Sequence, residues 1–341
     1  MTAGELAEHL RGLEPASVRS SRSRRYRGGG MAVRLAELAP EDRARVRALY
    51  DRVRSVYRHW LETRHDPDWE GIWARLRPLG SEESLERMAT LGAATATREG
   101  EEDGKAAAAL HDIRGGALTA ASAEVAMAPR RPGPDDLLSL VFLCRDHAKI
   151  MRNAVADLDP EARAADEAER AHDMRDIVEQ WDGATHRVGA AAARVEVHGG
   201  YAGGISSCCL EVSAVDRVLY NLVNNAVRHA EDGTVALAAL PHPETSVRIG
   251  VANRVSPDQE RWVDRAAEEP AGLFRPGRSR NGEGLGLANC ASFVSRAYGI
   301  GVRDESVSAR LVGARVVDRH FLAWFHWPRL EPEDAGDAPA A

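Results

Sequence analysis

Residues 216–230 read DRVLYNLVNNAVRHA, and the placing of polar side chains in that run decides how the chain around it is read. Val218, Leu219, Leu222, Val223 and Ala226 recur at helical spacing and form one apolar face. Asn221, Asn225, Arg228 and His229 fall three and four apart on another. Asparagine is a mediocre helix former because its side chain competes for backbone hydrogen bonds, so several along one helix need a reason. Carboxamide oxygens coordinate Mg²⁺, and an adjacent arginine neutralises phosphate oxygens. The row is expected to face a cation and phosphate.

Further along, RNGEGLGLANC (280–290) places Gly282, Gly284 and Gly286 at alternate positions, with Leu287 opening a helical pattern. Glycines let the backbone approach a phosphate closely, and a new helix aims its free N–H groups there. The loop lacks the Lys-Ser/Thr of a P-loop and does not follow a first strand, as a dinucleotide fingerprint would. Between and around these helices, ARVEVHG (193–199), TVALAAL (234–240) and SVRIGVAN (246–253) alternate as strands, and 314–327 reads as a final hairpin.

Upstream, AAALHDIRGGALTA (107–120) carries His111 and Asp112 in a run of small apolar residues. The surrounding pattern predicts a helix over about 103–127 with Leu110, Ile113, Ala117, Ala121 and Val125 on one seam. APRRPGPDD (128–136) interrupts it, and a second helix follows with Leu137, Val141, Cys144, Ala148, Met151 and Val155 on its seam. A hairpin this small cannot bury both seams alone, so a dimeric four-helix bundle is expected. His111 sits one position past Leu110, at the edge of that bundle. The paired glycines at Gly115–Gly116 predict a bend or a close approach by another part of the chain.

The ends and bulk properties bound the rest. Residues 1–30, with five arginines and no acid over 16–30, are expected to be a flexible basic arm, and 31–100 a helical region with Trp60, Trp69 and Trp73 supplying a small core. The acidic end, 330–341, is expected to be disordered. A net charge of −7 argues against a nucleic-acid binder. No apolar run approaches the ~18 residues that span a bilayer, and the polar start without a signal core predicts a cytoplasmic protein. The four cysteines show no metal-ligand spacing and read as free thiols.

Together these motifs resemble the two-component sensor histidine kinases, whose ATP-binding domain belongs to the GHKL group. NLVNNAVRHA is similar to their N box, LFRPGRS (273–279) to their F box, NGEGLGL (281–287) to their second glycine box, and HDIRGG (111–116) to the H box. The resemblance covers roughly 103–329. It implies an α+β chain: an antiparallel helical hairpin over 103–185 that dimerises as a four-helix bundle, then an α/β sandwich ATP-binding domain over 190–329. It implies ATP and Mg²⁺ as cofactors, with Asn225 on the metal, and Asn221, Arg228, His229, Gly282, Gly284, Gly286 and Leu287 around the nucleotide. His111 would be the phosphoacceptor and Asp112 the acid taking its proton. A homodimer and a response-regulator receiver domain follow as partners. A competing His-Asp pair at His172 lies too near the N box, with no hairpin between. One departure is that Asn253 stands where the family has the aspartate that accepts a bond from adenine; a carboxamide still accepts, without charge assistance. Two other functions fit parts of the pattern: a histidine phosphotransfer protein with a degenerate ATP domain, and a GHKL serine kinase acting as an anti-sigma factor.

Overall fold

The computed structural model describes residues 1–16, 26, 30–96, 104–128, 130–242, 245–268, 271–277, 284–300 and 303–330. The expected acidic tail beyond residue 330, most of the basic run over 16–30 and Gly282 lie outside the described residues. The chain divides into two compact units, one of Met1–Gly29, Asp166–His186 and Ala191–Ala341, the other of Gly30–Ala165 with Arg187–Ala190. The first opens with helix α1 (Ala3–Arg11), started by a capping box in which Thr2 and Glu5 exchange side-chain and backbone hydrogen bonds.

The second unit is helical: α2 (Pro40–Thr63), α3 (Trp69–Leu76), α4 (Glu82–Ala89), α5 (Ala93–Ala96), α6 (Lys105–Arg114), α7 (Gly116–Met127), α8 (Pro134–Ala154) and α9 (Pro160–Glu167). Proline at the first turn starts both α2 and α8, where its missing N–H costs nothing. Val46, Leu49, Tyr50, Val53 and Val56 give α2 a buried stripe at three- and four-residue spacing. That stripe, with Ile72, Leu76 and Leu79, joins one core with Leu110, Ile113, Ala121, Val125, Leu137, Val141, Cys144 and Met151. Trp60, Trp69 and Trp73 pack against it, as expected. Buried Asp42 on α2 ties down the segment before the hairpin, accepting from the Gly92 N–H at 2.9 Å and the Thr95 N–H at 2.8 Å.

The hairpin seams are therefore covered within one chain, and the ground on which a dimeric bundle was expected falls away. Helices of 31–100 do the covering, and they form one unit with the hairpin. Sequence periodicity exposes a seam but not its partner, which here lies far away along the chain. Residues 30–165 expressed alone are expected to sediment as a folded monomer at micromolar concentration. The hairpin 103–158 alone, with α2 removed, should self-associate.

The rest of the first unit is built on strands: β1 (Glu169–Asp173), α10 (Met174–Glu179), β2 (Thr185–Val188), β3 (Ala191–Gly199), β4 (Gly204–Cys208), α11 (Cys209–His229), β5 (Thr234–His242), β6 (Ser246–Arg254), α12 (Pro257–Ala267), α13 (Gly286–Ala297), α14 (Arg303–Ser308), β7 (Val312–Val317) and β8 (His320–Pro328). Six strands form a mixed sheet in the order β2-β3-β5-β6-β8-β7, while β1 and β4 pair separately. The β3–β5 pair is parallel; β5–β6, β6–β8 and β7–β8 are antiparallel. The strands expected over 193–199, 234–240, 246–253 and 314–327 are all present.

Residues 3–11 depart from the flexible arm expected over 1–30. Leu6, Ala7 and Leu10 of α1 are fully buried against Ala236, Ala238, Leu240, Ala252 and Leu322 of the sheet. A Cβ built on Gly250 would stand 2.8 Å from the Leu10 side chain, so glycine there is what lets the helix lie flat on β6. Arg248 closes the joint, its guanidinium donating to the carbonyls of Leu10 and Glu14 at the end of the helix. Beyond the helix, Tyr26 is buried edge-on against Phe293 of α13, with ring centroids 5.6 Å apart.

Two buried histidines make the molecule acid-sensitive. Burial alone pushes His147, on α8, down to about 3, and burial aided by Arg248 and His242 pushes His326 down to about 2. The unfolded chain takes up these protons near pH 6.5 and the folded chain does not, so stability is whole above that pH and falls below it. Each histidine should contribute a slope of about 1.4 kcal/mol per pH unit. Thermal melts from pH 7 to pH 5 check this: His147→Leu should flatten the profile of the helical unit, and an unchanged profile would contradict the assignment.

Candidate functional site

Helix α11 is embedded from Leu210 to Tyr220, and its character changes after that. Asn221 and Asn225 are half-buried, His229 is half-buried and Arg228 is exposed. The predicted row thus lies on the one open stripe of an otherwise packed helix. Helix α13 packs beside it. The Cys290 thiol lies 3.8 Å from the Val218 carbonyl, and the Arg217 guanidinium sits 4.2 Å over the Phe293 ring.

The first turn of α13 has the properties of an anion-facing terminus. Leu285 precedes the helix without a side-chain cap, Gly286 is its first residue, and Leu287 is half-buried next to it. Gly284 adopts φ +66, a backbone conformation that side chains disfavour. Leu273 and Phe274 of the expected F box are buried in a short turn, Gly272–Phe274.

Asn253 completes the arrangement from the sheet. Arg248, Gly250 and Ala252 of β6 face α1, so alternation turns Asn253 to the opposite face, which α11 covers. The end of β6 is joined to the end of α11 by the Glu231 N–H donating to the Arg254 carbonyl at 2.9 Å. Asn253 is only 2% exposed, and its Nδ2 donates to the Arg254 carbonyl at 3.2 Å. Its Oδ1 is buried and accepts no hydrogen bond among the described residues. An acceptor left buried and unmade costs about 1–3 kcal/mol, and a ligand amino group would recover it. The Asn221 and Asn225 row, the uncapped turn and the orphaned oxygen are the polar groups here that could hold a ligand.

In the helical unit, His111 is half-buried in the last turn of α6, beside Asp112, which is 2% exposed. The helix predicted over 103–127 stops after Arg114, where the Gly115 N–H donates to the His111 carbonyl at 2.9 Å. Gly116 then starts α7 with φ +50. The expected bend is a full break. A Cβ on Gly116 would meet Ile150 Cδ1 at 3.2 Å and His147 Nδ1 at 3.3 Å. Gly116→Ala is expected to cost about 1–2 kcal/mol from the left-handed conformation alone, more with the crowding. Denaturant melts measure it; a neutral substitution would mean the helix can straighten at no cost.

His172 is not on a helix. It lies in β1, with Nε2 3.4 Å from the Cys209 thiol. Two buried polar features had no sequence signal: His147, whose two ring nitrogens are buried without partners among the described residues, and the pair His186–Asn224.

No protein-family model and no curated protein matches the chain. Solved structures that it resembles are histidine kinases. The mycobacterial sensor histidine kinase MprB is 15% identical, covering 48% of this chain and 98% of its own, at a TM-score of 0.30. A histidine kinase from Burkholderia phymatum STM815 is 13% identical over 66% and 96%, at 0.29. The Acinetobacter baumannii histidine kinase AdeS is 11% identical over 59% and 88%, at 0.28. Among the described residues no helix is long and apolar enough to cross a membrane.

Proposed function

We propose that the chain is a cytoplasmic histidine protein kinase that phosphorylates His111 from Mg-ATP and passes the phosphoryl group to an aspartate of a response regulator. The observation that carries the nucleotide half of this reading is the buried Oδ1 of Asn253, unpartnered among the described residues, near the end of the strand that is hydrogen-bonded to the end of α11. That oxygen would accept a hydrogen bond from the adenine amino group. Asn225 would hold Mg²⁺, with Asn221 one turn before it, and Arg228 and His229 would lie toward the phosphates. The backbone of Gly284 and Gly286 would face the triphosphate, with Leu287 beside it in the first turn of α13. When bound, Mg²⁺ supplies neutralisation of the charge that builds on the phosphate oxygens.

His111 is the proposed nucleophile. An imidazole nitrogen bonds to the γ-phosphorus as the bond to ADP breaks, and the proton that the ring must lose goes to the Asp112 carboxylate. The half-exposed position of His111 leaves the ring reachable, while the apolar seam behind it stays packed.

Titration with a fluorescent ATP analogue and Mg²⁺ tests the nucleotide site. Asn253→Leu should weaken binding about tenfold, the worth of one buried hydrogen bond. Equal affinity in the variant would remove Asn253 from the site.

A further inference from the structure

We infer that His186 is a positioning residue for the metal-side face of α11, acting through Asn224; this rests on the proposed nucleotide site. Asn224 lies beside Asn225 but points elsewhere, and it is only 4% exposed. Its Oδ1 is 2.7 Å from Nε2 of His186, itself 6% exposed. With Oδ1 accepting, Nε2 carries the proton and donates. Burial lowers the tendency of His186 to take a second proton, which keeps the ring neutral.

The ring does not touch α11 at one point only. Trp181 and His186 have centroids 5.1 Å apart, Trp181 and Tyr220 are 4.8 Å apart edge-on, and His186 and Tyr220 are 6.1 Å apart. Tyr220 and Asn224 are one turn apart on the same stripe of α11. His186 therefore grips two successive turns, one by ring contact and one by a hydrogen bond. Asn221 and Asn225 each follow a gripped residue by one position, about 100° around the helix. Fixing the stripe of Tyr220 and Asn224 fixes the azimuth of the stripe that faces the metal and phosphates. A rotation of α11 by a small angle would break the 2.7 Å bond and leave the Asn224 carboxamide buried without it.

The consequence is separable from stability. His186→Ala removes the donor and opens space beside Trp181, so Mg-ATP affinity should fall about tenfold. His186→Gln keeps a donor of similar reach and should stay within threefold of the parent chain. Leu219→Ala, a buried cavity on α11 outside this grip, should lower the melting temperature as much as His186→Ala while leaving affinity unchanged. The measurement is titration of the full chain with a fluorescent ATP analogue across a range of Mg²⁺ concentrations, with thermal melts run in parallel. Parent binding with unchanged affinity in His186→Ala overturns the positioning role alone. Equal losses in His186→Ala, His186→Gln and Leu219→Ala would also overturn it, since that is what general destabilisation gives. A parent chain that binds no Mg-ATP overturns the nucleotide site and this role with it.

Discussion

Leu10→Asp is expected to lower the melting temperature of the sheet unit by about 10 °C or more. Leu10 is fully buried in α1, between the helix and the residues Ala236, Ala238, Ala252 and Leu322 of the sheet. Losing a buried leucine side chain costs roughly 2–5 kcal/mol, and the carboxylate would have to give up its water on entering the same apolar space. At about 2–4 °C per kcal/mol for a unit of this size, the combined loss exceeds ordinary surface effects several-fold. Arg11→Ala, an exposed change in the neighbouring residue, should leave the melt within about 1 °C. A Leu10→Asp melt within that same margin would mean that α1 does not hold this face of the sheet.

Asn225→Ala is expected to reduce Mg-ATP-dependent phosphorylation at least a hundredfold while the chain stays folded. Asn225 is half-buried on the open stripe of α11 and makes no part of the packed core. Methyl replaces the only atoms that could ligate the metal from that position, and phosphoryl transfer depends almost wholly on positioning and charge neutralisation. Initial rates of label incorporation at saturating ATP, beside an unchanged circular dichroism spectrum, would check it. A near-parental rate would remove Asn225 from the metal site.

The Asn221–Asn225 row is legible in sequence because a polar stripe along an otherwise apolar helix must meet water or a polar ligand. The strands β3, β5 and β6 follow from alternation, and Gly115–Gly116 marks a bend by composition alone. Helix α1 is masked by its neighbourhood, since the five arginines over 16–30 give the whole start of the chain the character of a solvated arm. Its own signal is present, a Thr2-to-Glu5 capping pattern ahead of Leu6, Ala7 and Leu10. The covering of the hairpin seams is a different matter. The stripe on α2 and the seams on α6, α7 and α8 are each visible in sequence, but their pairing is a long-range choice that periodicity does not encode. The same holds for His186 and Asn224, two polar residues 38 positions apart whose bond has no local signature.

The central claim is that ATP bound at the Asn253–Asn225 site phosphorylates His111. Its most direct test is incubation of the purified chain with γ-labelled ATP and Mg²⁺, followed by acid and alkali treatment of the labelled protein. Label that is lost in acid, persists in alkali and is absent from His111→Gln is the predicted result; acid-stable label, or equal label on His111→Gln, would contradict it.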